Sequence, residues 1–239
     1  MAREPKGSAK SGAKKAAPRK TPEQKIIAAA LKLAEDHDWT DLKLSQIAKV
    51  AKVPLKELTH LYSSKTAILV AFMDQVDEQT MDNIDPELEE EPARDRLLDV
   101  LITRFEVLAA HKAALKRIRA TLARDPLVLA NINRALVRSM ERMMAAASCE
   151  AGGMRGLARA QGLAFVYQAA MDVWLEDDDP GMARTMAELD GRLRRGERNL
   201  KRVNMALNVA RGAVGVCKSL RKQARERRQN PPADEAVTA

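Results

Sequence analysis

One stretch constrains the fold more tightly than any other: LSQIAKVAKVPLKELTHLYSSKTAILVAF, residues 44–72. Leu44, Ile47, Ala48 and Ala51 form a short apolar face, Val53 and Pro54 interrupt it, Leu55, Leu58 and Leu61 or Tyr62 form the next, and a third apolar run follows. Spacings of three and four broken by a proline predict two short helices joined by a tight turn. The inner positions of the second helix then lie on the first, and its outer positions stay free for a DNA major groove. Those outer positions are Lys56, Glu57, Thr59 and His60. Lys43, Lys49, Lys52, Lys56 and Lys65 stand here against the single acid Glu57, the balance that phosphate contact requires. A structural helical hairpin with a solvated basic face has the same pattern, so both alternatives stand at this point.

The rest of the chain is written in the same language. Period-2 alternation and β-branched runs are missing, and Ala, Leu, Met, Arg, Lys and Glu dominate, which predicts an all-α protein. Residues 1–20 carry Lys, Ala, Gly, Ser and Pro without apolar periodicity and are expected to form a disordered basic tail. At Thr21-Pro22-Glu23-Gln24 an N-cap, a first-turn proline and a capping-box partner open a helix. Pro86 and Pro92 bracket an acidic linker, after which Leu97, Leu98, Leu101, Ile102, Phe105 and Leu108 share one helical face. Asp125-Pro126 and Asp179-Pro180 each start a further helix, and the AGG at 151–153 is expected to close the one between them. The expected organisation is therefore a tail at 1–20, a helix-turn-helix domain at 21–84, a larger helical domain at 93–197 and a basic extension at 198–239.

Charge divides along the chain. The formal net charge is +8, yet residues 1–20 hold seven Lys or Arg against one acid and residues 191–228 hold thirteen against two, so the middle is acidic. Basic ends around an acidic body point to a polyanion, either nucleic acid or an anionic membrane surface. The only two cysteines, Cys149 and Cys217, are far apart and belong to no metal-ligand pattern, which argues for a reducing compartment and a cytoplasmic location. No signal-peptide core or spanning segment is expected. His37, His60 and His111 fall on separate elements without a nucleophile signature, and no glycine-rich phosphate loop occurs; we expect no enzyme, no cofactor and no metal. The acidic run Glu176–Asp179 matches no calcium loop and is better explained as a solvated loop and helix cap.

The order of a long first helix, LSQIAKVAKV, a short helix and YSSKTAILVAF resembles the DNA-binding domain of TetR-family repressors over about residues 22–75. Ile47-Ala48, Ala51, Val53, Leu58, Tyr62, Ser64-Lys65 and Leu69 keep the pattern. Lys52 stands at the turn glycine, Lys56 at a small residue, Thr59 at a tyrosine and Lys43 at the capping threonine. The resemblance implies a homodimer that binds double-stranded DNA and answers to a ligand, with Lys43, Lys52, Lys56, Thr59, His60, Ser64 and Lys65 on the DNA side. Residues 93–197 are similar instead to the TetR-fold lipid-binding accessory proteins of ubiquinone biosynthesis, through the Arg-Phe-Glu near residue 105, His111-Lys112 and the segment from Tyr167 to Leu193. That likeness implies, as an alternative function, presentation of an isoprenoid or acyl intermediate at a membrane.

In the larger domain Met140, Met143 and Met144 on one expected helix and Phe165, Tyr167, Met171 and Trp174 on another are candidates to line a site for an apolar small molecule or lipid, with ordinary core packing as the competing explanation. In the extension Leu200, Val203, Leu207, Ala210, Val214 and Cys217 recur every three or four residues beside many Lys and Arg. This basic amphipathic helix is expected to dock on its own domain, pair as a coiled coil or lie on an anionic membrane.

Overall fold

The computed structural model describes residues 20–85, 90–122, 125–149 and 152–199. Among them there is no strand. The helices are α1 (Pro22–Asp36), α2 (Leu44–Ala51), α3 (Leu55–Leu61), α4 (Lys65–Asp82), α5 (Ala93–Leu108), α6 (Lys112–Leu122), α7 (Pro126–Ala146) and α8 (Gly153–Leu175). A further helical run, α9, covers 183–199. The tail and the amphipathic stripe from Leu200 to Cys217 lie outside the described residues.

Helix starts follow the expected chemistry. The Thr21 hydroxyl accepts from the Gln24 N–H at 3.3 Å while the Gln24 side chain accepts from the Thr21 N–H at 3.1 Å, closing the capping box of α1. The Asp125 carboxylate accepts from the N–H groups of Leu127 and Val128 at 3.0 and 3.1 Å, capping α7. Ahead of α9, Asp179 accepts from Gly181 and Ala183, both at 3.1 Å. The end of α7 departs from expectation. The helix stops at Ala146, ahead of the glycines, because Ser148 takes the left-handed conformation (φ 51°) and the Cys149 N–H returns to the Met144 carbonyl at 2.8 Å. Gly152 instead caps the start of α8.

The chain forms two compact units. Of the described residues, the first unit holds those from 20 to 73 and from 111 to 132, and the second those from 74 to 110 and from 133 to 199. In the first unit α1 packs on both α2 and α6, and α2 on α3. The contacts thus assign α6, which chain order puts in the larger domain, to the first unit. Its core contains Ile26, Ala30, Ile47, Leu58, Ile68, Phe72, Ala114 and Ile118, all buried. Each large one contributes roughly 1.5–3 kcal/mol of transfer free energy. His111 meets Phe72 edge-on at 5.3 Å, and burial pushes its pKa below the ordinary histidine value.

In the second unit Phe105 of α5 stacks on Tyr167 of α8 with centroids 4.8 Å apart and tilts against Trp174 at 5.4 Å. Met140 and Met143 of α7, Leu101 and Leu189 are fully buried in this core.

Candidate nucleic-acid interface

The second helix of the pair is held by one residue. Leu58, wholly buried, anchors α3, whereas Lys56, Glu57, Thr59 and His60 on its other positions are exposed. Lys49, Lys52 and Lys43 continue the exposed charge across α2 and its start. None of the side chains of Lys43, Lys49, Lys52, Lys56, Glu57 and His60 makes an ion pair or hydrogen bond among the described residues, so their charge is available to a ligand. The turn between the helices depends on Lys52, whose backbone sits in the left-handed region at φ 55°, ψ 41°. There its N–H reaches the carbonyls of Ala48 and Lys49 and ends α2. For a non-glycine residue this conformation costs about 1–2 kcal/mol. Lys43 is the N-cap of α2, but its side chain has no acceptor; the helix start keeps only the reciprocal half of a capping box, Lys43 N–H to Gln46 Oε1 at 2.8 Å.

Three expected contacts have other employment. Lys65, placed on the DNA side by its motif, turns its ammonium to the carbonyls of Trp39 and Thr40 at 2.6 and 2.8 Å and lies 5.8 Å from the Trp39 ring centroid. Burial lowers its pKa. It ties the α1–α2 connection to α4. Ser64 caps α4 by accepting from the Ala67 N–H at 3.1 Å. The Thr59 hydroxyl donates to the carbonyls of Leu55 and Lys56 at 3.0 and 3.1 Å, leaving only acceptor lone pairs and a methyl group for anything outside. Leu55, expected on the inner apolar face with Leu58, is instead 46% exposed because it opens the first turn of α3, and Val50 on α2, which the sequence did not single out, is 44% exposed. The start of a recognition helix is where apolar contact with a thymine methyl is made.

Among the residues expected to hold an apolar ligand, Met140, Met144, Tyr167 and Trp174 are buried and Met171 is half-buried. Phe165 is 64% exposed and belongs to a different surface. The sequence did not single out the polar cluster in this core. Arg104 Nη2 lies 3.0 Å from Asp77 Oδ1 and donates to Ser139 Oγ at 2.9 Å, and the serine hydroxyl donates to Asp77 Oδ1 at 2.7 Å. Arg142 completes the set with 2.6 Å bonds to Asp77 Oδ2 and Asp74 Oδ1. Burial raises the Asp77 carboxyl above its ordinary pKa against the opposing pull of Arg104, Ser139 and Arg142. The signal was present in the periodicity. Leu97, Leu101, Arg104 and Leu108 follow at spacings of four, three and four, which puts the arginine on the buried face of α5.

No helix of the described residues is long and apolar enough to cross a membrane. No protein-family model and no curated protein sequence matches the chain. Solved structures do. A TetR transcriptional regulator from Nitrosomonas europaea superposes with a TM-score of 0.58 at 18% identity, over 72% of this chain and 95% of that one. A TetR transcriptional regulator from a Rhodococcus species does so with a TM-score of 0.51 at 20% identity, over 72% and 93%. At these identities the likeness is one of fold: this chain has the all-helical fold of the TetR-family transcriptional regulators.

Proposed function

We propose that the protein is a homodimeric DNA-binding transcriptional regulator that reads a major groove with α3 and responds to an apolar small ligand held in its second unit. The observation that carries this proposal is the free basic face: Lys43, Lys49, Lys52, Lys56 and His60 are exposed and without a side-chain partner among the described residues, on and beside α3, which Leu58 anchors. Lys56 and His60 are the base-reading candidates, with Lys43, Lys49, Lys52 and the two basic chain ends on phosphate. The fold shared with the Nitrosomonas and Rhodococcus regulators supports the same assignment. For the dimer, the support is the exposed apolar side chains of Met154, Leu157 and Phe165 on α8, with Met186 on α9 also exposed. The lipid-accessory alternative has only its sequence likeness behind it.

Duplexes selected from a random pool and titrated by fluorescence anisotropy test the proposal. Lys56→Ala and His60→Ala are expected to weaken the selected site about 5-fold or more beyond their effect on random duplex. Affinity should fall steeply with salt, less so after removal of residues 1–20. Failure to retain any duplex at low salt would refute it.

A further inference from the structure

Two buried side-chain atoms in the second unit, Arg104 Nε and Tyr167 Oη, have no hydrogen-bond partner among the described residues. They are neighbours, since the Arg104 guanidinium carbon lies 5.2 Å from the centroid of the Tyr167 ring. Native interiors seldom leave such groups unsatisfied, because each forfeits its hydration without replacement. Asp77 and Ser139 are engaged with Arg104 Nη2 and with each other. Around the two atoms stand Phe105, stacked on Tyr167, and Trp174 beyond it. A water molecule held by these two donors alone would make two hydrogen bonds, fewer than the about three that buried waters typically make.

We propose that Arg104 Nε–H and Tyr167 Oη–H form the polar anchor for a neutral oxygen, a carbonyl or a hydroxyl, carried by an otherwise apolar ligand. Both anchors are donors. The phenol stays protonated because burial pushes its pKa up to about 12 against the opposing pull of the neighbouring Arg104 guanidinium. Neutrality of the ligand follows from the charges already present. Asp74 and Asp77 balance Arg104 and Arg142, so an incoming carboxylate would bring an uncompensated charge into a dry core. The apolar body would lie among Phe105, Trp174 and the flexible side chains of Met140 and Met143 in the same core. This inference rests on the assignment of a ligand-holding role to the second unit and adds the chemistry of what is held.

Calorimetry on the full chain with 2-octanone and with octanoate as probes tests it. The ketone should bind at least about 10-fold more tightly than the carboxylate, and Tyr167→Phe should weaken the ketone about 10-fold, the loss of one buried hydrogen bond. The phenylalanine variant keeps the ring stack and removes only an unsatisfied hydroxyl, so its unfolding midpoint should hold or rise. No ketone binding, an unaltered ketone affinity in the variant, preference for octanoate, or crystals grown with the ketone that show water on the two donors would each overturn the inference. Duplex binding measured on the same preparation separates these outcomes from failure of the DNA-binding function.

Discussion

Lys52 shows how a single residue can serve two opposed requirements. Its ammonium adds positive charge next to α3, and its backbone holds a conformation that glycine would adopt without strain. Lys52→Gly should therefore stabilise the first unit by about 0.5–1 kcal/mol, the relief of the left-handed strain less the entropy that glycine loses on folding. The same change should make the slope of log affinity against log salt for duplex DNA shallower by about 1, one phosphate contact fewer. Denaturant midpoints and salt titrations read the two effects separately; a variant that lost stability would show that the lysine side chain itself holds the turn. Lys65 is the contrasting case. The motif marked its position, but whether its ammonium faced DNA or the Trp39 and Thr40 carbonyls depended on where the α1–α2 connection passes. Spacing along a helix carries no such information.

At the scale of elements, the sequence was legible wherever a helix announces itself locally. Thr21 and Asp125 cap the helices that their positions before proline predicted, whereas α9 starts at 183, three residues after Pro180, with Asp179 reaching its first N–H across a turn; Leu58 faces inward as its spacing required. What escaped were side chains whose partners come from distant helices. Asp77, Arg104, Ser139 and Arg142 belong to three elements and meet only after folding. The acidic run before α9 was correctly expected to include a cap, yet its most telling member is Asp177. This buried carboxylate accepts from the Thr185 hydroxyl at 2.7 Å and the Thr185 N–H at 3.0 Å. The Thr185 hydrogen bond holds its pKa below the ordinary carboxylate value. A depressed folded-state pKa means that the stabilisation is complete above the unfolded value near 4 and disappears as pH falls through the lower folded value. Thermal unfolding followed by circular dichroism should show the midpoint of the native chain dropping below about pH 4 more than that of Asp177→Asn, whose amide does not titrate. Parallel acid profiles for the two proteins would remove Asp177 from this account.

For the whole molecule, the exposed apolar side chains raise the question of assembly. Met154 is 82% exposed and Phe165 64%, and Leu157 on the same helix is 49% exposed. If α8 and α9 form a two-fold interface, Phe165→Glu places like charges against each other across it and should give monomers by light scattering at micromolar concentration. Affinity for a two-half-site operator should fall with it, since a dimer spans half-sites about 34 Å apart and a monomer cannot. A Phe165→Glu protein that remained dimeric would move the interface elsewhere.

The placement of α6 has a consequence for the order in which the protein comes into being. Because the first unit is built from two separate parts of the chain, residues up to Met73 and then 111–132, its surface around α1 stays open while the intervening segment is being made. At synthesis rates of ~5–20 residues per second, the roughly 37 residues between the two parts (74–110) impose a delay of about 2–7 s. During that interval the nascent helix-turn-helix carries its lysines before the helix that completes its core exists. Vectorial synthesis here exposes the charge first and delivers the closing helix last.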